Sequence, residues 1–169
     1  MLGLGTAVNR GGFVSAADPL LLDTYSGASA AYSLRSISST YSGNAIKVRR
    51  SSDNAELNIG FSSGVLDTSA IATHCGSNDG FVTTWYDQSG NANNATQTNQ
   101  SAQPKIYDGS STAVEVVNGK PALLSDADIE FSIPLSTTAG YLIFGVSKID
   151  RNSIFLGSGS NADFVLVAQ

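Results

Sequence analysis

Apolar and polar residues alternate with a period of two in several short runs, the pattern of half-buried β-strands. Ala45–Arg50 puts Ile46 and Val48 on one face and Lys47 and Arg49 on the other, with Arg50 sharing the apolar side, where a carboxylate at its edge could pair with it. The turn residues Ser51–Asn54 follow, then Glu56–Phe61 with Leu57, Ile59 and Phe61 inward, so the two runs predict a hairpin. Gly80 ends a tight loop, and Phe81–Tyr86 is the strongest strand. Strict alternation sets Phe81, Thr83 and Trp85 on one face of it and Val82, Thr84 and Tyr86 on the other. Asp87–Asn91 closes that strand, and Asn91–Ser101 is a polar surface loop.

Two segments read as helical. Ser29–Ser39 carries a rough apolar stripe of Ala31, Tyr32, Leu34 and Ile37 after Ser26-Gly27. Asp67 precedes Ala70, Ile71 and Ala72 as an N-cap for a short helix. Beyond residue 103 the pattern is all β. Strands are expected at Pro104–Tyr107, at Val114–Val117 and Pro121–Leu124 around the hairpin turn Asn118-Gly119, and then at Ile129–Ile133, Tyr141–Lys148, Ser153–Leu156 and Phe164–Ala168. Many short strands separated by Gly- and Ser-rich turns predict a mainly β fold, a jelly-roll sandwich with one or two short helices.

The first 17 residues, rich in Gly, are expected to form an extended arm, with Leu2, Leu4, Phe13 and Val14 as residues that could anchor it on a partner. The sandwich is expected over 18–169, and the apolar run Phe164–Val167 so near Gln169 leads us to expect either that it continues past that point or that a partner covers that edge.

Composition narrows the chemistry. The 169 residues carry a net charge of −5, which argues against bulk binding to nucleic acid, and only 14% are charged. No apolar run is long enough for a membrane span, and the start lacks the pattern of a secretory signal. Cys75 and His74 are the only residues of their types, too few for a Cys/His metal site or an internal disulfide, so neither metal nor cofactor is expected and Cys75 reads as a packing residue. Neighbours in sequence point apart, which also disfavours a Cys75–His74 catalytic pair.

Candidate ligand-binding residues are Trp85, Tyr86, Asp87 and Gln88 at the end of the strongest strand. The aromatic rings could stack on sugar, and Asp87 and Gln88 could hold a ligand; the plainer alternative is a core tryptophan and a structural corner with Gly90 in a left-handed turn. Lys47, Arg49 and Arg50 could grip an anionic partner or form ion pairs with Asp53 and Glu56 across the hairpin.

Three stretches, Leu22–Arg35, Val48–Glu56 and Asp79–Asn91 with its Trp-Tyr-Asp-Gln-Ser-Gly-Asn motif, resemble the N-terminal half of the catalytic domain of the α-L-arabinofuranosidase B type, a concanavalin A-like jelly roll. They are also similar to bacteriophage virion proteins that carry this module, whose openings resemble Met1–Gly5. The likeness spans roughly residues 20–125. In the hydrolase family the nucleophile is a Glu in an Asn-Ala-Glu context behind two adjacent cysteines. Here the nearest stretch is Ser153–Asp163, with Asp163 in place of Glu and no cysteine pair, and the family's acid/base Asp would lie beyond Gln169. A retaining glycosidase needs two carboxyl groups about 5–5.5 Å apart. The resemblance with that departure implies a non-catalytic virion structural protein, tail- or capsid-associated. Its partners would be other virion proteins and copies of itself. The alternatives are a carbohydrate-binding module that recognises a host surface glycan, and the front part of an arabinofuranosidase.

Overall fold

The computed structural model describes residues 18–124, 131–135, 154–158 and 162–166. The arm with Leu2, Leu4, Phe13 and Val14 lies outside them, as does the expected strand Tyr141–Lys148. The fold is mainly β and of the jelly-roll type. Its centre is a six-stranded antiparallel sheet built from β1 (Ile46–Arg50), β2 (Glu56–Ile59), β5 (Gly80–Trp85), β6 (Ala95–Thr96), β7 (Lys105–Asp108) and β8 (Ala113–Val114). Two short hairpins accompany it: β3 (Phe61–Ser62) with β4 (Val65–Leu66), inserted between β2 and β5, and β9 (Val116–Val117) with β10 (Lys120–Pro121), after β8. A third hairpin joins β11 (Ile154–Ser158) to β12 (Ala162–Leu166), close to two of the expected strands.

The strand order β2-β1-β5-β7-β8 follows from hairpin chemistry and from β5. Asn54 at φ 59° lets the chain reverse between β1 and β2, and Asn118 and Gly119, at φ 51° and 72°, form the expected turn between β9 and β10. β5 has β1 along its whole length on one side. On the other side its partner comes in two pieces: β7 pairs with Gly80 and Phe81, and β6 pairs with Thr84 and Trp85. The loop expected over Asn91–Ser101 therefore contains a paired segment, and Ala95 is buried in it.

One face of the sheet builds the core. Ile46, Val48, Ile59, Val82 and Ile106 pack with Leu66, Tyr107 and the short helix α2 (Thr68–Cys75). The α2 helix starts as expected, with the Asp67 carboxylate accepting from the Ala70 amide at 3.0 Å. It turns Ile71 and Cys75, one helical turn apart, toward the sheet. Burying each large aliphatic side chain contributes about 1.5–3 kcal/mol. Gly80 sits where β5 crosses the helix end; a Cβ there would lie 2.7 Å from the Cys75 sulfur.

Two expectations are corrected. Ser29–Ser39 is not helical: it runs as irregular chain with one bridge, Arg35 to Val65. A one-turn helix, α1 (Leu21–Thr24), precedes it instead. The second correction concerns β5. Val48 faces Val82, Lys47 faces Thr84 and Ile46 faces Trp85, so Thr83 is an extra residue, a β-bulge. The bulge resets the alternation and brings Trp85 to the same face as Val82. Leu57 faces Val48 as expected but stays 41% exposed, because β2 is the edge strand.

Candidate functional site

The segment after β5 is a clasp. Asp87 and Gln88 are each 2% exposed. The Asp87 carboxylate accepts from the Ala31 amide (2.8 Å), the Ser89 amide (2.8 Å), the Ser89 hydroxyl (2.7 Å) and the Asn93 amide (3.0 Å). The Gln88 side chain accepts from the Ile37 amide at 3.0 Å and donates to the carbonyls of Ser33 (2.9 Å) and Arg35 (3.1 Å). Gly90 takes φ 91°, as the corner requires. Both side chains thus satisfy backbone groups of residues 31–37, which have no helix of their own to pair in.

Trp85 packs between Tyr32 and Phe131, with ring centroids 6.0 and 6.2 Å away, and its buried indole nitrogen has no hydrogen-bond partner among the described residues. The Tyr32 hydroxyl donates to the Asn93 carbonyl, and burial, with the Asp87 charge, raises its pKa. Tyr86 turns to the opposite face, where its hydroxyl donates to the Asn58 side chain at 2.7 Å. The four candidate residues are neighbours in the chain, but they serve different surroundings: Trp85 the core, Asp87 and Gln88 the clasp, Tyr86 the outer face.

That outer face carries an open, polar cavity. It has a volume of about 340 Å³, and its walls include Lys47, Arg49, Glu56, Thr83, Gln97 and Gln103. Alternation along β1 puts Lys47 and Arg49 here, as expected. Lys47 pairs with Glu56 at 3.5 Å. Arg50 lies on the other face, in a two-pronged contact with Asp53 (3.0 and 2.6 Å) and donating to the His74 carbonyl at 2.7 Å.

Arg49 behaves differently. It is 7% exposed and stacks over the Phe81 ring at 5.0 Å. It donates from Nε to the Gln103 side-chain oxygen (2.7 Å) and from Nη1 to that of Asn54 (2.9 Å). It has no ion pair among the described residues. The Thr83 hydroxyl, at the bulge, is buried and also lacks a partner among them. Thr83 and Gln103 carry no local signal of these roles; alternation alone cannot show which position bulges or which distant amide a buried arginine meets.

Cys75 and His74 diverge. The thiol lies under Gly80, and burial raises its pKa; the His74 ring meets the Ala55 carbonyl at 3.2 Å. Among the described residues no three His, Cys, Asp or Glu side chains converge on a point that could hold a metal ion.

The class defined here is that of mainly β, jelly-roll-type domains, with a polar cavity on the exposed face of the sheet. The particular family is given by the match of residues 23–153 to the family model "Alpha-L-arabinofuranosidase B, catalytic". The chain belongs to that family. Among solved structures it is similar to an arabinofuranosidase complexed with arabinofuranosyl-α-1,2-xylobiose, at 33% identity over 46% of this chain and 17% of that one, with a TM-score of 0.41. It is also similar to a point variant of a GH54 α-L-arabinofuranosidase soaked with 4-nitrophenyl α-L-arabinofuranoside, at 27% identity over 51% of this chain and 21% of that one, with a TM-score of 0.44. The chain therefore spans about a fifth of the length of the structures it matches. None of the curated proteins matches it.

The family match overturns the expectation of a non-catalytic virion structural protein. The domain matched is a glycoside hydrolase's catalytic domain, and no comparison points to a phage particle or tail. That expectation leaned on Ser153–Asp163, a stretch that lies past the matched residues but for Ser153, whereas the match itself covers most of the chain.

Proposed function

We propose that this chain is the leading part of the catalytic domain of an α-L-arabinofuranosidase, which releases terminal arabinofuranosyl groups from a glycan. The observation that carries the reading is the family match over residues 23–153. Glycoside hydrolysis needs a pair of carboxyl groups about the scissile bond. Most of the described aspartates are engaged elsewhere: Asp23 holds the Ser39 amide, Asp53 pairs with Arg50, Asp67 caps α2, Asp79 pairs with Lys105, Asp87 makes the clasp, and Asp108 accepts from Ser110 and Ser111. In this reading they build the scaffold. Asp163, on β12, stands where the family resemblance would set the nucleophilic Glu.

The test is release of 4-nitrophenol from 4-nitrophenyl α-L-arabinofuranoside by the protein that carries these residues. Hydrolysis is expected, with Asp163→Asn lowering kcat by roughly a thousandfold or more while leaving the thermal transition in place. Absence of hydrolysis overturns the reading; hydrolysis unaffected by Asp163→Asn removes Asp163 from it.

A further inference from the structure

We propose that the outer-face cavity is a subsite for an acidic sugar, a uronosyl unit whose carboxylate is received by Arg49 and Lys47. The inference rests on the arabinofuranosidase reading, since it supposes a glycan as the partner, and adds the charge of that glycan. Arg49 is the reason. A buried guanidinium is ordinarily matched by a carboxylate, because an unmatched buried charge is costly. Here its two neutral amide partners leave Nη2 with no hydrogen bond among the described residues. The nearest acidic position in the register, Glu56 opposite Arg49, is 3.5 Å from Lys47 instead.

The cavity walls therefore hold two cations against one carboxylate, on a chain whose net charge is −5. The planar fork of arginine suits a carboxylate better than a point charge does. The rest of the lining suits sugar hydroxyls. Thr83, Thr84, Thr96 and Gln103 surround the same space with hydroxyl and amide groups, and the Thr83 hydroxyl is buried without a partner among the described residues. At about 340 Å³ the cavity falls within the ~300–1,000 Å³ of small-molecule sites and is far larger than a carboxylate alone requires.

The experiment is calorimetric titration of the chain with trigalacturonate, with its methyl ester and with inorganic phosphate. The acid is expected to bind at least tenfold more tightly than the uncharged ester, and phosphate at the same concentration should not displace it. Arg49→Met should weaken binding of the acid at least tenfold, with Arg49→Lys recovering part of the loss. Lys47→Met, at a side chain 32% exposed, should weaken it at least threefold and keeps the test valid if the Arg49 variants do not fold. Equal binding of acid and ester, no binding of the acid, displacement by phosphate, or unchanged affinity in Lys47→Met would each overturn the proposal. The titration does not read hydrolysis. A protein that cleaves the nitrophenyl arabinoside but does not distinguish acid from ester fails this inference alone; one that selects the acid but cleaves nothing fails the functional reading.

Discussion

The Asp87 carboxylate accepts the amide hydrogen of Ala31, 56 positions earlier in the chain, at 2.8 Å. This bond joins two irregular segments that have no ladder between them, and the three others, from Ser89 and Asn93, fix the carboxylate within its own turn. Asp87→Ala would leave buried donors unpaired and should lower unfolding stability by about 2–4 kcal/mol, read from urea denaturation. A loss under 0.5 kcal/mol would mean that the clasp contributes little.

Gly80 and Cys75 are coupled by space. Adding a methyl group at Gly80 brings it 2.7 Å from the Cys75 sulfur and 3.1 Å from Val48 and Tyr107. Gly80→Ala should cost about 1–3 kcal/mol. In a Cys75→Ala background the cost should be smaller, giving a coupling of about 1 kcal/mol in a double-mutant cycle. Additive losses would show that strain against the strands, not the thiol, sets the penalty.

Acid sensitivity should be concentrated at low pH. The Arg50 guanidinium, with the Ala55 amide, holds the Asp53 carboxyl down at about 2, and the Ser110 and Ser111 hydroxyls hold Asp108 down at about 2. Both values lie below the ordinary 3.8, so each group's contribution is present above about pH 4 and is lost as pH falls toward 2. The urea midpoint should drop across that window, and Asp53→Asn should lower the midpoint at pH 7 and flatten the drop. An equally steep acid limb in the variant would place the sensitivity elsewhere.

Removing the helix cap gives a smaller, local effect. Asp67→Ala takes away the acceptor for the Ala70 amide and should cost about 1 kcal/mol, while Asp67→Ser should retain most of the stability. Thermal melts of the two variants distinguish loss of the cap from loss of charge.

The strands and turns were legible because their signals are local. The alternation of Ile46, Lys47, Val48 and Arg49 and the Asn118-Gly119 turn need no distant partner, and the Asp67 cap acts within its own helix. Ser29–Ser39 was misread for the opposite reason. Its apolar spacing resembles a helix, but its backbone groups are taken by Asp87 and Gln88, and Leu34 and Ser36 exchange bonds with Leu66 and Gly64. Tertiary bonding overrides a weak propensity. Trp85 was assigned to the wrong face because a single inserted residue, Thr83, inverts everything after it. The cavity was half legible: alternation placed Lys47 and Arg49, but nothing local predicts that Glu56 would serve Lys47 and leave Arg49 to Asn54 and Gln103.

The clasp also sets a clock for birth on the ribosome. At ~5–20 residues per second, synthesis of the stretch from Ala31 to Asp87 takes roughly 3–11 s. Through that interval the nascent segment around Ala31 and Ile37 lacks the side chains that will hold it, so it emerges long before it can settle.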